Sequence, residues 1–600
     1  MVFVPSTWLV VPPFEGVDRD ALAQLARFEQ AILFDDAAAM PNPIHILTDR
    51  PEDNPERECR RLSSAMLRRY HGLGFSPEAR IETVRRVASS KLPDFFRWHI
   101  VTRMQAGTTD EAELTALSAL ANTLGSDIDS QERWISRGAL DRAIRGAPAS
   151  AMAGSVVLID AEHDRARAEW LLADPSRGAN IAWWRLDIRD PEWIRRILPR
   201  LGGRAAKIKL SSQDDWSGIA AALPDDCAAV DVSLARAGLG FVGELVKSPA
   251  WTSLRTLRLH GNGLGAEGLG LLLAADKPGG FDALDLGHDN LDADAFTRLA
   301  AAPWLAGVRS LDVCFNEAKS KGAKALLSSP SLAELTSLDI GANEIGDPGL
   351  GVLCKNARVT KLERLACRGN DKAPLLSAKS AVALGEWGGA ASLRTLDLSR
   401  NKLGDEGVAA LVKSASLRGV KGLDLHGNQC TPALAEALAG APETMKPRVV
   451  ILHSNKLGRA KPGGASKAPK APDPSNPWAN ALWLRECESL DLALSMLDVD
   501  TMAQIVSSPQ LARLRVLKLW GNDSLGIEAL RFLLQTPLAA QLDVLELNGW
   551  PLDGAAFALL LESPLVDTVL RLHVTIKGVP PRDVAALHER MGDRVLLFPS

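Results

Sequence analysis

The stretch Leu393-Arg-Thr-Leu-Asp-Leu-Ser-Arg-Asn-Lys-Leu-Gly-Asp-Glu-Gly407 returns with small edits as LRTLRLHGNGLGAEG from Leu254 and LTSLDIGANEIGDPG from Leu335. The shared form is L-x-x-L-x-L-x-x-N-x-L-G. Leucine alternating with a polar residue over L-x-L predicts a short strand with one buried face. The residues that follow, such as Gly322-Ala-Lys-Ala-Leu-Leu327 and Gly407-Val-Ala-Ala-Leu-Val412, have helical spacing. Pro249, Pro303, Pro330, Pro509, Pro537 and Pro564 close these helical halves, because proline cannot continue a helix.

The central leucine can be followed as Val230, Leu257, Leu284, Leu311, Leu338 and Leu365, each 27 residues from the last. It continues through Leu396, Leu423, Val450, Leu490, Leu517, Leu545 and Leu570, with weaker copies upstream at Leu186 and Ile208. Such a constant period marks a stacked repeat array. Strands about 4.8 Å apart beside helices that need about 8 to 10 Å force the stack to curve with its strands inside. The recurring Asn262, Asn316, Asn343, Asn370, Asn401, Asn428, Asn455 and Asn522 fall where the chain leaves the strand, and their amides can satisfy backbone groups there. Asp289, Ser495 and Trp550 stand where asparagine is expected, so the turn bonding differs in those repeats.

These segments resemble leucine-rich repeats, and the 27 to 28 residue period with a helical outer half is similar to the ribonuclease-inhibitor-like class; the L-G-D-E-G and S-P-x-L variants resemble repeats of large bacterial proteins. The resemblance covers about three quarters of the chain. It implies an α/β fold, a curved solenoid of parallel inner strands and outer helices used for protein binding. We read residues 151–600 as about fifteen such units and residues 1–150 as a mainly helical N-terminal domain, serving as a cap or effector module. Ser76-Pro77-Glu78 and Thr108 with Glu111 supply its helix starts. A Gly-, Pro- and Lys-rich insert over 457–478 stretches one repeat and reads as a flexible loop.

With 69 Lys plus Arg against 73 Asp plus Glu, the net charge of -4 gives no general pull toward nucleic acid or an anionic membrane. No run of 18 apolar residues predicts a membrane span, and the first sixteen residues make a poor signal peptide. Seven scattered cysteines without a C-x-x-C pair suggest neither a disulfide framework nor a zinc knuckle, and fit a reducing cytoplasm. Gly238-Leu-Gly-Phe-Val-Gly243 matches G-x-G-x-x-G, but Gly263-Leu-Gly-Ala-Glu-Gly268 repeats it one unit later, so repeat turns explain both. No P-loop, G-x-S-x-G or H-E-x-x-H is present, so no catalytic residue, cofactor or metal ligand is assigned. His260, His426 and His453 share one position after the strand, and only the last two are neighbours.

The expected function is therefore that of a binding scaffold or sensor for a protein partner. Alternatives are a regulator of a partner enzyme such as a small GTPase or nuclease, and an N-terminal effector whose repeats read its substrate. The middle residue of L-x-L points to the concave face, where Asp231, Asp285, Asp312, Asp339, Asp397, Asp424 and Asp491 form a column, with Arg368 and His426 beside it. Either the column is inherited repeat pattern, or it is an acidic stripe for a partner with a basic surface.

Overall fold

In the computed structural model the described residues are 190–201, 207–213, 215–370, 375–439, 445–458, 476–569, 571–591 and 595–598, with the backbone of several short strands ahead of them. Residues 1–150, the expected helical domain, lie outside the described residues except for the strands Thr7–Trp8 (β1) and Ile32–Leu33 (β2). Residues 459–475, most of the expected insert, lie outside them as well. The chain divides into two compact units, one running to Asn343 and one from Glu344 to Ser600.

In the first unit eight strands follow one another in register: β3 (Val156–Asp160), β4 (Trp183–Asp187), β5 (Lys207–Leu210), β6 (Ala229–Asp231), β7 (Thr256–Arg258), β8 (Ala283–Asp285), β9 (Ser310–Asp312) and β10 (Ser337–Asp339). Each pairs parallel with the next. In the second unit nine do the same: β11 (Arg364–Ala366), β12 (Thr395–Asp397), β13 (Gly422–Asp424), β14 (Val449–Ile451), β15 (Ser489–Asp491), β16 (Val516–Lys518), β17 (Val544–Glu546), β18 (Arg571–Thr575) and β19 (Val595–Phe598). The leucines of L-x-L form the core: Leu257, Leu259, Leu284, Leu286, Leu396 and Leu398 are all buried. This is the strand-helix repeat that the 27-residue period predicts, with two more strands than expected.

The register corrects two assignments. Leu545 pairs with Leu572, not Leu570, and Ile208 pairs with Trp184, not Leu186. In both places the sequence offers two apolar residues separated by one, and a two-residue slip keeps every side chain on the same face.

The helical halves take their bounds from local chemistry. The helix Ala293–Ala300 opens where the Asp292 carboxylate accepts the Ala295 N–H at 2.8 Å, and it buries Ala295, Phe296 and Leu299 on one face. Asp498 does the same for Val499–Val506 through the Thr501 N–H. The prolines do more than stop these helices. Pro303, Pro330, Pro509 and Pro537 are the first residues of a second short turn that leads back to the next strand. The serine before the proline ties neighbouring repeats, since Ser329 Oγ donates to the Ala300 carbonyl at 2.8 Å and Ser508 Oγ to that of Trp478 at 2.6 Å. Gly322 lets the helix Lys319–Leu327 close on its neighbour: a Cβ there would lie 2.9 Å from Ala293 Cα.

The asparagine ladder links the repeats behind the strands. Asn316 Nδ2 donates to the carbonyls of Leu286 and Val313, and its Oδ1 accepts the N–H groups of Asp289 and Leu291. Asn522 repeats the pattern with Leu492, Leu519, Ser495 and Leu497. One amide thus serves two successive turns and leaves no buried donor idle. At the departures, Ser495 Oγ donates to the Ala493 carbonyl at 3.1 Å and Trp550 Nε1 to that of Leu519 at 2.9 Å. Asp289 cannot donate while ionised. Its Oδ1 accepts the Asn262 N–H, but its buried Oδ2 has no hydrogen-bond partner. Burial pushes its carboxyl up to about 7.

Candidate functional site

Each aspartate of the column sits at the last position of its short strand, and in each the side chain turns back on its own chain. The Oδ1 atoms of Asp231, Asp285, Asp312, Asp339, Asp397, Asp424 and Asp491 accept the N–H two residues on, from Ser233, Gly287, Cys314, Gly341, Ser399, His426 and Ala493, at 2.9 to 3.0 Å. The aspartate therefore has a structural task in every repeat that carries one: it bonds the N–H groups released as the strand turns.

The column is mixed in charge. In the first unit the register runs Lys209, Asp231, Arg258, Asp285, Asp312, Asp339. In the second it runs Ala366, Asp397, Asp424, Ile451, Asp491, Lys518, Glu546, His573. Asp231 is fully buried and ion-paired with Lys209 at 3.1 Å, and Asp491 is buried, its carboxyl pushed up to about 6 by desolvation. Asp285, Asp312, Asp339, Asp397 and Asp424 are half-buried. Arg368 lies 3.8 Å from Asp397, and the His426 ring meets Asp424 at 2.8 Å. His426 and His453 stack with centroids 4.2 Å apart, and burial together with His426 pushes His453 down to about 4.

Beside this column runs a second, in the turn itself, that sequence reading did not single out. Leu234, Gly261, His288, Phe315 and Ala342 in the first unit, and Arg400, Gly427, Ser454, Leu494 and Gly521 in the second, all have φ between 51° and 72°. Only glycine takes this left-handed conformation freely; for other residues it costs about 1–2 kcal/mol. Yet Leu234, Phe315 and Leu494 are 67%, 46% and 43% exposed. The signal available in the sequence was the register: Leu234 and Phe315 stand three repeats of 27 apart.

Register also joins His260 and Cys314, which are two repeats apart. Together with Asp312 they offer ligand atoms that all lie within 4.8 Å of one another, the one such trio of His, Cys and acidic side chains among the described residues. Sequence reading weighed His260 only against the other histidines of its row and missed the partner on β9. The glycines of G-x-G-x-x-G belong to the repeat's own turn and helix start, with Gly238, Gly263 and Gly265 at φ of 64°, 66° and 58° and Gly240, Gly243 and Gly268 inside the helices that follow.

Parallel strands in constant register, an asparagine ladder and returning outer helices define a strand-helix repeat solenoid. The family model described as Leucine Rich repeat matches residues 252–273, 334–354 and 390–412. The chain therefore carries leucine-rich repeats. Among solved structures it is similar to an internalin from Listeria monocytogenes, with 18% identity over 62% of this chain and 84% of that one and a TM-score of 0.35. It is also similar to a chain of the yeast Rad7 and Elc1 complex, with 16% identity over 56% of this chain and 84% of that one and a TM-score of 0.31. No curated protein matches the chain. Among the described residues no helix is long and apolar enough to cross a membrane.

Proposed function

We propose that the protein is a binding scaffold that takes a protein partner on the strand side of its repeats. The observation that carries this reading is the exposure of Leu234, Phe315 and Leu494 in left-handed backbone. Phe315 meets the His288 ring and Leu234 and Leu494 lie over Gly261 and Gly521, yet all three stay largely exposed in a costly conformation, and strain of this kind collects at functional sites. In the first unit the carboxylates of Asp285, Asp312 and Asp339 give the exposed turn a polar border, and in the second unit those of Asp397 and Asp424, with Arg368 and His426 beside them, do the same. Their second oxygens favour a partner carrying Lys and Arg. Asp231 and Asp491 act within the sheet instead, as their burial requires.

Asparagine tolerates left-handed backbone better than leucine or phenylalanine. The triple variant Leu234→Asn, Phe315→Asn, Leu494→Asn is therefore expected to melt at the same temperature as the parent or higher, while affinity capture loses the partner that the parent retains. Full retention by the folded triple variant removes this surface from the function.

A further inference from the structure

We propose that His260, Asp312 and Cys314 form a binding site for a thiophilic divalent cation of the zinc class. His260 follows β7, Asp312 ends β9 and Cys314 follows it, and β8 passes between them. The residue of β8's repeat at the level of His260 and Cys314 is Gly287, and it keeps the space between them open. A Cβ on Gly287 would overlap the His260 ring and stand 3.2 Å from Asp312 Oδ1. Glycine has no conformational reason to be there, since Gly287 is absent from the left-handed positions of its turn. The imidazole instead leans across the vacated place toward the second strand over.

The donors suit one class of ion. Thiolate, imidazole and carboxylate together select zinc-like cations over calcium or magnesium, which take oxygen ligands. Three protein ligands leave a coordination position open. A second carboxylate is in place as well: Asp285 Oδ1 lies 3.3 Å from His260 Nδ1 and is itself fixed by the Gly287 N–H at 3.0 Å. A carboxylate against the imidazole of a metal ligand orients the ring and raises its basicity. The local electrostatics favour a cation too. Asp285 and Asp312 are register partners on adjacent strands, so their two carboxylates stand side by side and repel. A divalent ion between them offsets that repulsion. Binding replaces the Cys314 thiol proton, which leaves to solvent, so affinity rises with pH. Cys314 is buried, with its side chain facing Asp312 rather than bulk water, which suits a metal thiolate better than a redox thiol.

The test is a Co²⁺ titration of the full-length, reduced, chelator-treated protein, followed by displacement with Zn²⁺. A thiolate-to-cobalt charge-transfer band in the near ultraviolet, saturating at one ion per chain and bleached by Zn²⁺, is the expected result. Cys314→Ser abolishes the band, His260→Gln weakens Zn²⁺ binding by about 100-fold and Asp285→Asn by about 10-fold. Circular dichroism establishes that each variant is folded; if Cys314→Ser is not, His260→Gln, which alters a half-buried face residue, decides alone. No band in the parent protein, or a band that survives Cys314→Ser or an affinity unchanged in His260→Gln, overturns the site.

Discussion

The Trp550 indole N–H donates to the Leu519 carbonyl, the bond that an asparagine amide makes at the corresponding place in the repeats that carry asparagine. An aromatic ring therefore does the work of an amide while filling a core position, for Trp550 is almost fully buried. Trp550→Phe removes the donor and trims the ring, and should lower stability by about 1–2 kcal/mol. Trp550→Ala removes the ring too and should cost about 3–5 kcal/mol. Urea denaturation of both variants checks the ratio; no loss in Trp550→Phe would mean that the indole N–H contributes nothing.

Asp289 gives the converse case, a carboxylate where the ladder calls for a donor. In the folded chain its carboxyl is pushed up to about 7, above the ordinary aspartate value of 3.8. The folded state therefore binds the extra proton between those values, and this group's contribution to stability falls as pH rises from about 4 to 7. Asp289→Asn supplies the missing donor toward the Leu259 and Leu286 carbonyls. The variant should be more stable than the parent by about 1–3 kcal/mol at pH 8, with the gain shrinking by pH 5. A gain independent of pH would refute a protonation origin.

His453 shifts the other way, to about 4 from 6.5. Here the unfolded chain binds the proton first, so the contribution of the neutral ring is present above pH 6.5 and is lost as pH falls toward 4. His453→Gln should flatten that part of the stability curve. A proton NMR titration of the His453 ring should show no protonation at pH 5.5.

The aspartate column separates charge from structure under the right substitution. Asparagine keeps an Oδ1 to accept the N–H two residues on, whereas alanine does not. Combined Asp339→Asn, Asp397→Asn and Asp424→Asn should leave the melting temperature nearly unchanged and remove most of the salt dependence of partner association. The matching alanine variant should lose about 1 kcal/mol per site. Calorimetric melts and association rates at two salt concentrations read both effects, and a salt dependence untouched by the asparagine variant would exclude these carboxylates from steering.

Gly322 sits where two helices touch, and a methyl group there meets the Ala293 backbone and Phe296 Cβ. Gly322→Ala raises helix propensity yet should destabilise by about 1–3 kcal/mol, because overpacking outweighs the propensity gain. A stabilised variant would show that the neighbouring helix shifts freely.

The period, the strand-helix alternation and the role of the turn asparagines were legible because each rests on a spacing that one sequence displays. Register failed only at Leu570 and Leu186, where W-R-L and L-R-L offer two apolar residues on the same face and pattern cannot choose between them. The aspartates were placed correctly on the strand, but their i to i+2 bonds depend on a turn geometry that residue types do not spell out. Trp184, Leu572 and the Phe315 turn were hidden for the same reason: backbone pairing and left-handed φ are properties of the folded chain. His260 and Cys314 were within reach, since arithmetic on the 27-residue period sets them at one level; what the period could not give was the lean of the imidazole over Gly287.

The asparagine ladder has a mechanical consequence. Asn316 holds carbonyls in its own repeat and in the one before, and Asn522 does likewise, so a repeat that lets go strips its predecessor of a donor it cannot replace. Within each unit, loosening spreads from neighbour to neighbour rather than staying local, in the manner of a one-dimensional chain of coupled links. Pulled by its ends, such a unit should surrender its links in spatial order, beginning at a terminus, like a zip opened from one side.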